Sequence, residues 1–557
     1  MSKPEPTKLS MVGEVSNKKH SERVVRSHVA NEFVFAVVGH VGSGTSQIAT
    51  MLQSALENAS LRGGPFDATI LKARNEIQDW AKASGENVPT QDNNDLQYDK
   101  TLQVLGDAMR LKSNDNAAVA RALIEKVRVT RAAKLHVDPQ QNAPMIPDGK
   151  RRAYILDSIR HPAEVHLLRR VYQSAFALAG IVCDEEKRLQ RITVKYKNAG
   201  VDDAKEFMKR DAKAAETHGQ RVSDTFHLSD YFIDNSADRL LKSGQANRNW
   251  DIADQLSRLV KLITHLEIVR PTMSETAMHT AYGAQMRSAC LSRQVGAALV
   301  DSAGNVIATG TNEVPKAGGG LYGEEFEKRK YPEPRDDRCA YRTFGAGFIP
   351  FCSNTREQNE IIDELIALIP QLSVIKDKNS LRTLKTLLME SRIGNLLEFS
   401  RAVHAEMDAL LSAGRVGVSP VGSRLFVTTF PCHYCARHAV SAGVDEVQYI
   451  EPYPKSRALK LHADSITTDT AEWTPPSKGG SQVLFRPFTG VAPRLYARAF
   501  LKDRELKGDE TGEIRISDPQ SGSPWDVSRV SYPQLELELA RSVSIESGSE
   551  RKSTKVE

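Results

Sequence analysis

Arg424-Leu425-Phe426-Val427-Thr428-Thr429 runs into Phe430-Pro431-Cys432-His433-Tyr434-Cys435, and this stretch decides the fold of its half of the chain. The first six residues are largely apolar or β-branched and predict a buried strand. Cys432 falls just past it, where the next helix opens, so that the partial positive charge of a helix start favours both thiolates. The two-residue gap lets Cys432 and Cys435 converge on one ion. Upstream, His404-Ala405-Glu406 adds an imidazole and a carboxylate at the start of another helix. His404, Cys432 and Cys435 form a three-ligand nitrogen and sulfur set that suits Zn2+ and leaves the fourth position open. Glu406 projects from a different face and is free for acid/base work. A closed structural zinc site would need a fourth ligand, for which Cys290, Cys339, Cys352 and His438 are the candidates.

Outward from that stretch, Arg293–Val300 predicts a strand, Asp301–Asn305 a turn and Val306–Gly310 the paired strand of a hairpin. A segment at about 317–400 reads as an insertion. It opens with Gly318-Gly319-Gly320, is charged from Glu324 to Lys330, and regains helical periodicity at Ile361–Ile369 and Leu381–Leu397. Val447–Ile450 predicts one more strand. Residues 276–504 are therefore expected to form one zinc-binding α/β/α domain, followed by a charged, Ser-rich and partly disordered tail at 505–557.

The other half is expected to be an α/β domain with a parallel sheet at 31–240, between a flexible arm at 1–30 and a helical linker at 241–275. Phe33–Val38 and Ala153–Asp157 predict buried strands. Phe176–Cys183 predicts a third, its first half open to a helical reading. Between the first strand and the helical Gln47–Leu52 lies Gly39-His40-Val41-Gly42-Ser43-Gly44-Thr45-Ser46. This is the strand–turn–helix setting of a P-loop, with Gly39, Gly42, Gly44, Thr45 and Ser46 at phosphate-cradling positions and Asp157 as the acidic residue on a second strand. Thr45 stands where such loops carry lysine, which disfavours phosphoryl transfer. A nucleoside triphosphate with Mg2+ is the expected ligand; a phosphate-free glycine turn is the alternative.

Composition narrows the class. The 557 residues carry a net charge of +5, which neither demands nor excludes a nucleic-acid partner. Six scattered cysteines suit a reducing compartment. With neither a signal-peptide core nor a long apolar run, a cytoplasmic protein with no membrane span is expected.

The pattern His404-x-Glu406 followed by Pro431-Cys432-x-x-Cys435 resembles that of the zinc-dependent nucleobase deaminases. With Ser292–Ala297, Gly310–Pro315 and Ser441–Val444, the region from Ser288 to about Tyr453 resembles the cytidine/deoxycytidylate deaminase superfamily, and the deoxycytidylate deaminases in particular. The resemblance implies that Asn312 contacts the nucleotide. Asp408 departs from it, since asparagine is usual there. Tyr453, Lys455, Arg457 and Lys460 are candidates to meet base or phosphate, and Arg188 and Arg191 resemble the lid arginines of small P-loop kinases. The pairing of the two domains resembles bacterial anti-phage dCTP/dCMP deaminases. That implies free deoxycytidine nucleotides as substrates, depletion of dCTP during infection, control by the first domain, a homo-oligomer, and restraint by a small RNA or release by a phage-derived trigger. A polynucleotide cytidine deaminase, or a nucleotide-sensing or RNA-binding scaffold with structural zinc, are the alternatives.

Overall fold

Strand β1 (Glu32–Val38) is buried along its whole length because both of its faces are covered. Val34, Ala36 and Val38 enter one apolar core, and Phe33, Phe35 and Val37 enter another. A central strand of a parallel sheet has no solvent face, hence the unbroken apolar run. These observations come from a computed structural model that describes residues 30–323, 352–502, 507, 510–513 and 532–540, less short gaps within them. The arm to residue 29, Glu324–Lys330, Cys339 and most of the 505–557 tail lie outside the described residues.

Around β1 lie β2 (Asp67–Lys72), β3 (Arg152–Asp157), β4 (Phe176–Val182) and β5 (Tyr231–Asp234), in the order β2-β3-β1-β4-β5 and all parallel. Phe176–Val182 is strand throughout. The chain first builds to one side of β1 and then to the other. The reversal falls beside β1, where the crevice of an open α/β sheet forms. The glycine turn sits there, leading into the helix Thr45–Leu56.

The second sheet contains β6 (Gly296–Val300), β7 (Val306–Thr311), β8 (Arg424–Thr429), β9 (Glu446–Glu451), β10 (Ile466–Thr467) and β11 (Val483–Pro487), in the order β10-β11-β9-β8-β6-β7. β6 pairs antiparallel with both β7 and β8, while β8, β9, β11 and β10 run parallel. The hairpin is present, but its first strand begins at Gly296 rather than Arg293. The Asn312 side chain accepts from Val295 N and donates to Arg293 O, both at 2.7 Å, so side-chain bonds hold residues where a longer ladder was expected. Helices pack unusually close to this hairpin. A Cβ on Gly296 would lie 1.9 Å from Ala281 O in the helix Met273–Gln285, and one on Gly310 would lie 2.0 Å from Ala405 O in the helix Ala405–Arg415.

The two sheets are joined through side chains and returning backbone. β12 (Gly490–Val491) leaves the second sheet and pairs antiparallel with β5 of the first. Buried Glu275 accepts from Val491 N at 2.8 Å and pairs with Arg258. Ala298, Val300, Phe426 and Met278 share an apolar core with Phe232 and Tyr172, so the interior is continuous across the joint. Within the segment expected to be a partly disordered tail, the described residues of 532–540 are helical and return to the first sheet. There Glu536 pairs with Arg131 and accepts from Tyr172, and Tyr532 reaches Glu32, all five side chains being buried.

Candidate active site

Residues from two separate segments, His404 and the pair Cys432 and Cys435, meet at the C-terminal end of β8. Cys432 caps the helix His433–Ser441, its sulfur accepting from Cys435 N. His404 caps the helix Ala405–Arg415. The helices bring His404 Nδ1 to 3.3 Å from both sulfurs. One ion at zinc-like bond lengths would separate tetrahedral nitrogen and sulfur ligands by about 3.6 Å. The donor set therefore fits Zn2+, with the three ligand atoms lying within 4.8 Å of one another.

Among the described residues no fourth His, Cys, Asp or Glu joins that cluster. His438 turns its Nδ1 to Tyr434 O at 2.6 Å, and Cys352 lies beside the Ser292 hydroxyl at 3.6 Å. Cys290 lines the same cavity but stands outside the ligand group. Cys339 lies outside the described residues.

Charge follows geometry. The Cys432 thiol is brought down to about 4, first by its hydrogen bond with Cys435 and then by His404 against the opposing effect of burial, while that same hydrogen bond and burial push Cys435 well up. Burial lowers His404, but the hydrogen bond and charge of Cys432 outweigh it and raise the imidazole to about 9. Burial lifts the Glu406 carboxyl to about 7, and Cys432 adds in the same direction. A carboxyl in that range suits proton transfer near neutrality.

His404, Glu406 and Cys432 line a cavity of about 290 Å³, and Asn312 borders it. Both polar ends of the Asn312 side chain bond the 293–295 backbone, which places it as a brace for that wall. Tyr453 and Lys455 also line the cavity; Arg457 and Lys460 do not. Arg293, paired with Glu451 at 3.1 Å, and Arg401 complete its basic lining. Arg401 was not legible from the sequence, because it stands three residues before His404 in no recognisable pattern. Asp408 has a local role: its carboxylate accepts from Thr311 N at 3.1 Å and ties the helix to β7.

A second cavity, of about 420 Å³, opens beside the glycine turn. Gly42, Gly44, Thr45, Ser46 and Asp157 line it, as does Arg191. Gly42 and Gly44 hold φ of 81° and 87°, left-handed conformations that favour glycine. Gly39 lies behind the turn, where a Cβ would meet Ser43 Oγ at 2.4 Å. Arg188 backs Gly42 from outside the cavity, whereas Arg191 donates to Asn235 O at 2.9 Å. Val41 N is committed to buried Asp211, which pairs with Arg160.

Residues 271–451 match the family model of the cytidine and deoxycytidylate deaminase zinc-binding region. The match begins upstream of Ser288 and takes in the helix Met273–Gln285 that packs on β6. Among individual proteins, the chain is similar to the deoxycytidylate deaminase of Enterobacteria phage T4, 25% identical over 33% of this chain and 80% of the relative. It is also similar to ComE operon protein 2 of Bacillus subtilis (strain 168), 39% identical over 10% of this chain, a stretch spanning 29% of that relative. A solved structure of the dCMP deaminase of cyanophage S-TIM5 is similar at 19% identity and TM-score 0.20, over 40% of this chain and all of that one.

Proposed function

We propose that the chain is a zinc-dependent hydrolytic deaminase of free deoxycytidine nucleotides, dCMP and/or dCTP, converting cytosine to uracil with release of ammonia. The observation that carries this reading is the convergence of His404, Cys432 and Cys435, with His404, Cys432 and buried Glu406 facing one cavity that Arg293, Arg401 and Lys455 also line. Those cations suit a phosphorylated substrate better than a bare nucleoside. The aromatic faces of Tyr453 and Phe430 border the same space. Zn2+ held by His404, Cys432 and Cys435 would supply the field that lets a water lose its proton near neutral pH. Glu406 takes that proton and delivers it to ring N3 as hydroxide adds to C4, then carries the added hydroxyl's proton to the amino group as the C4–N bond breaks and ammonia leaves. Asn312 keeps the Arg293–Val295 wall in place during this exchange.

The glycine turn is assigned to nucleotide binding, with Gly42, Gly44, Thr45 and Ser46 at the phosphates and Asp157 toward Mg2+. It is read as a control site for the zinc cavity, because Thr45 lacks the charge that phosphoryl transfer demands. The domain pairing supports a role in depleting dCTP during phage infection, with release from restraint by a small RNA or a phage-derived molecule, in an assembly of several copies. The test is ammonia release from dCMP, dCTP, deoxycytidine, single-stranded DNA and RNA, with metal content measured alongside. Glu406→Gln is expected to keep its zinc and lose about 10³-fold or more in rate. A Glu406→Gln protein as active as wild type would overturn the mechanism, and activity on polynucleotides alone would overturn the substrate.

A further inference from the structure

Gln103 and Gln220 both line the cavity beside the glycine turn and are only 6% and 5% exposed. In each, the amide oxygen is buried without a hydrogen-bond partner. A buried amide beside the turn is paired: Asn235 donates to Ser43 O at 2.8 Å. Buried polar side chains are paired as a rule, so two unsatisfied amides in one cavity mark positions kept for a ligand.

Their placement suggests which ligand. The turn ends in the helix Thr45–Leu56, whose cap residue Gly44 makes no side-chain cap bond, so the first-turn N–H groups are an anion site in waiting. Gln103 belongs to another wall, the helix Leu96–Lys112, which packs against the helix Ala73–Ala83 that follows β2. β2 lies two strands from β1, about 10 Å across the sheet, the scale of a nucleoside between its 5′-phosphate and its base. Around Gln103 the lining includes the apolar side chains of Ile77, Leu102 and Val119, suited to the faces of a planar ring. An amide presents an adjacent donor and acceptor, which match the amino or carbonyl edge of a nucleobase.

We propose that this cavity binds a whole nucleoside 5′-phosphate, its phosphates at the glycine turn and its base edge against the Gln103 amide, with Gln220 as a second polar contact. This rests on the reading of Gly39–Ser46 as a phosphate-holding turn. It makes the site a reader of nucleoside identity and not merely of phosphate.

The full-length protein is titrated calorimetrically with ATP, GTP, dTTP and inorganic tripolyphosphate. Cytidine nucleotides are left out because the zinc cavity would take them. At least one nucleotide is expected to bind about tenfold or more tighter than tripolyphosphate. Gln103→Met, which keeps side-chain length, is expected to remove that advantage while leaving tripolyphosphate affinity and the melting temperature unchanged. Nucleotides that bind no tighter than tripolyphosphate overturn the base contact and leave the phosphate reading standing, a comparison that needs no variant. Gln103→Met with undiminished nucleotide preference overturns it as well. If neither tripolyphosphate nor any nucleotide binds, the turn itself is not a phosphate site and both readings fall.

Discussion

Gly310→Ala is the most direct test of how the fold positions the zinc cavity. The added Cβ would sit 2.0 Å from Ala405 O and 2.4 Å from Ala409 N, and both are backbone atoms that no rotamer change can move. Ordinary contact begins at 3.4 Å, so β7 and the helix Ala405–Arg415 must part by about 1.4 Å. That helix carries Glu406 in its first turn and is capped by the ligand His404, while its other anchor is the Asp408 bond to Thr311 N beside the insertion point. Overpacking of this kind costs about 1–3 kcal/mol. A displacement near 1 Å at a reacting centre costs on the order of 10²-fold in rate. The expected protein is folded by circular dichroism, melts several degrees lower, and turns over deoxycytidine nucleotides about a hundredfold more slowly, with reduced zinc by elemental analysis. Wild-type melting, zinc content and rate together would refute the claim that close helix–hairpin contact sets the site.

Cys435→Ser should lose zinc, and chelation of wild-type protein should lower its melting temperature, both checked by elemental analysis and calorimetry. Lys455→Glu and Arg401→Glu are expected to raise KM for dCMP or dCTP by tenfold or more and to leave deoxycytidine turnover nearly unchanged in steady-state assays. Burial, helped by Arg188, His227 and Arg160, depresses His40 from 6.5 to about 3, so the folded chain binds fewer protons than the unfolded chain between those values. Stability should therefore be full above about pH 6.5 and fall as pH drops toward 3, with a slope of up to about 1.4 kcal/mol per pH unit that His40→Gln flattens in urea titrations. Glu536→Gln leaves Arg131 with Glu32 as its remaining buried carboxylate partner and is expected to destabilise the protein by about 3–5 kcal/mol in the same assay.

What could be read from the sequence was local. Phe33–Val38 and Leu425–Thr429 announce themselves because five or six consecutive apolar or β-branched residues have few alternatives, and the zinc ligands because their spacing is fixed by coordination chemistry. Strands β5, β10, β11 and β12 went unread because they are only two to five residues long and are defined by the strands they join. The helical return at 532–540 was not legible because Tyr532, Glu536 and Leu537 are dilute among charged and Ser residues, and the groups that bury them lie in the first half of the chain. Arg401 likewise gains its place from folding, since the cavity gathers it with Arg293 and Lys455 from three separate segments.

The buried pair of Arg131 and Glu536 also fixes an order of events in the cell. The two residues are 405 positions apart, so at about 5–20 residues per second the ribosome delivers Glu536 roughly 20–80 s after Arg131. Throughout that interval the first sheet holds Arg131 with Glu32 as its remaining buried carboxylate partner, and until Val491 has emerged it also lacks β12 on its edge. The nascent chain thus completes its first-built body last, after the zinc ligands have emerged. A chain whose zinc-ligand half is finished before its glycine-turn half is closed has its interval of greatest exposure to chaperones and proteases written into its connectivity.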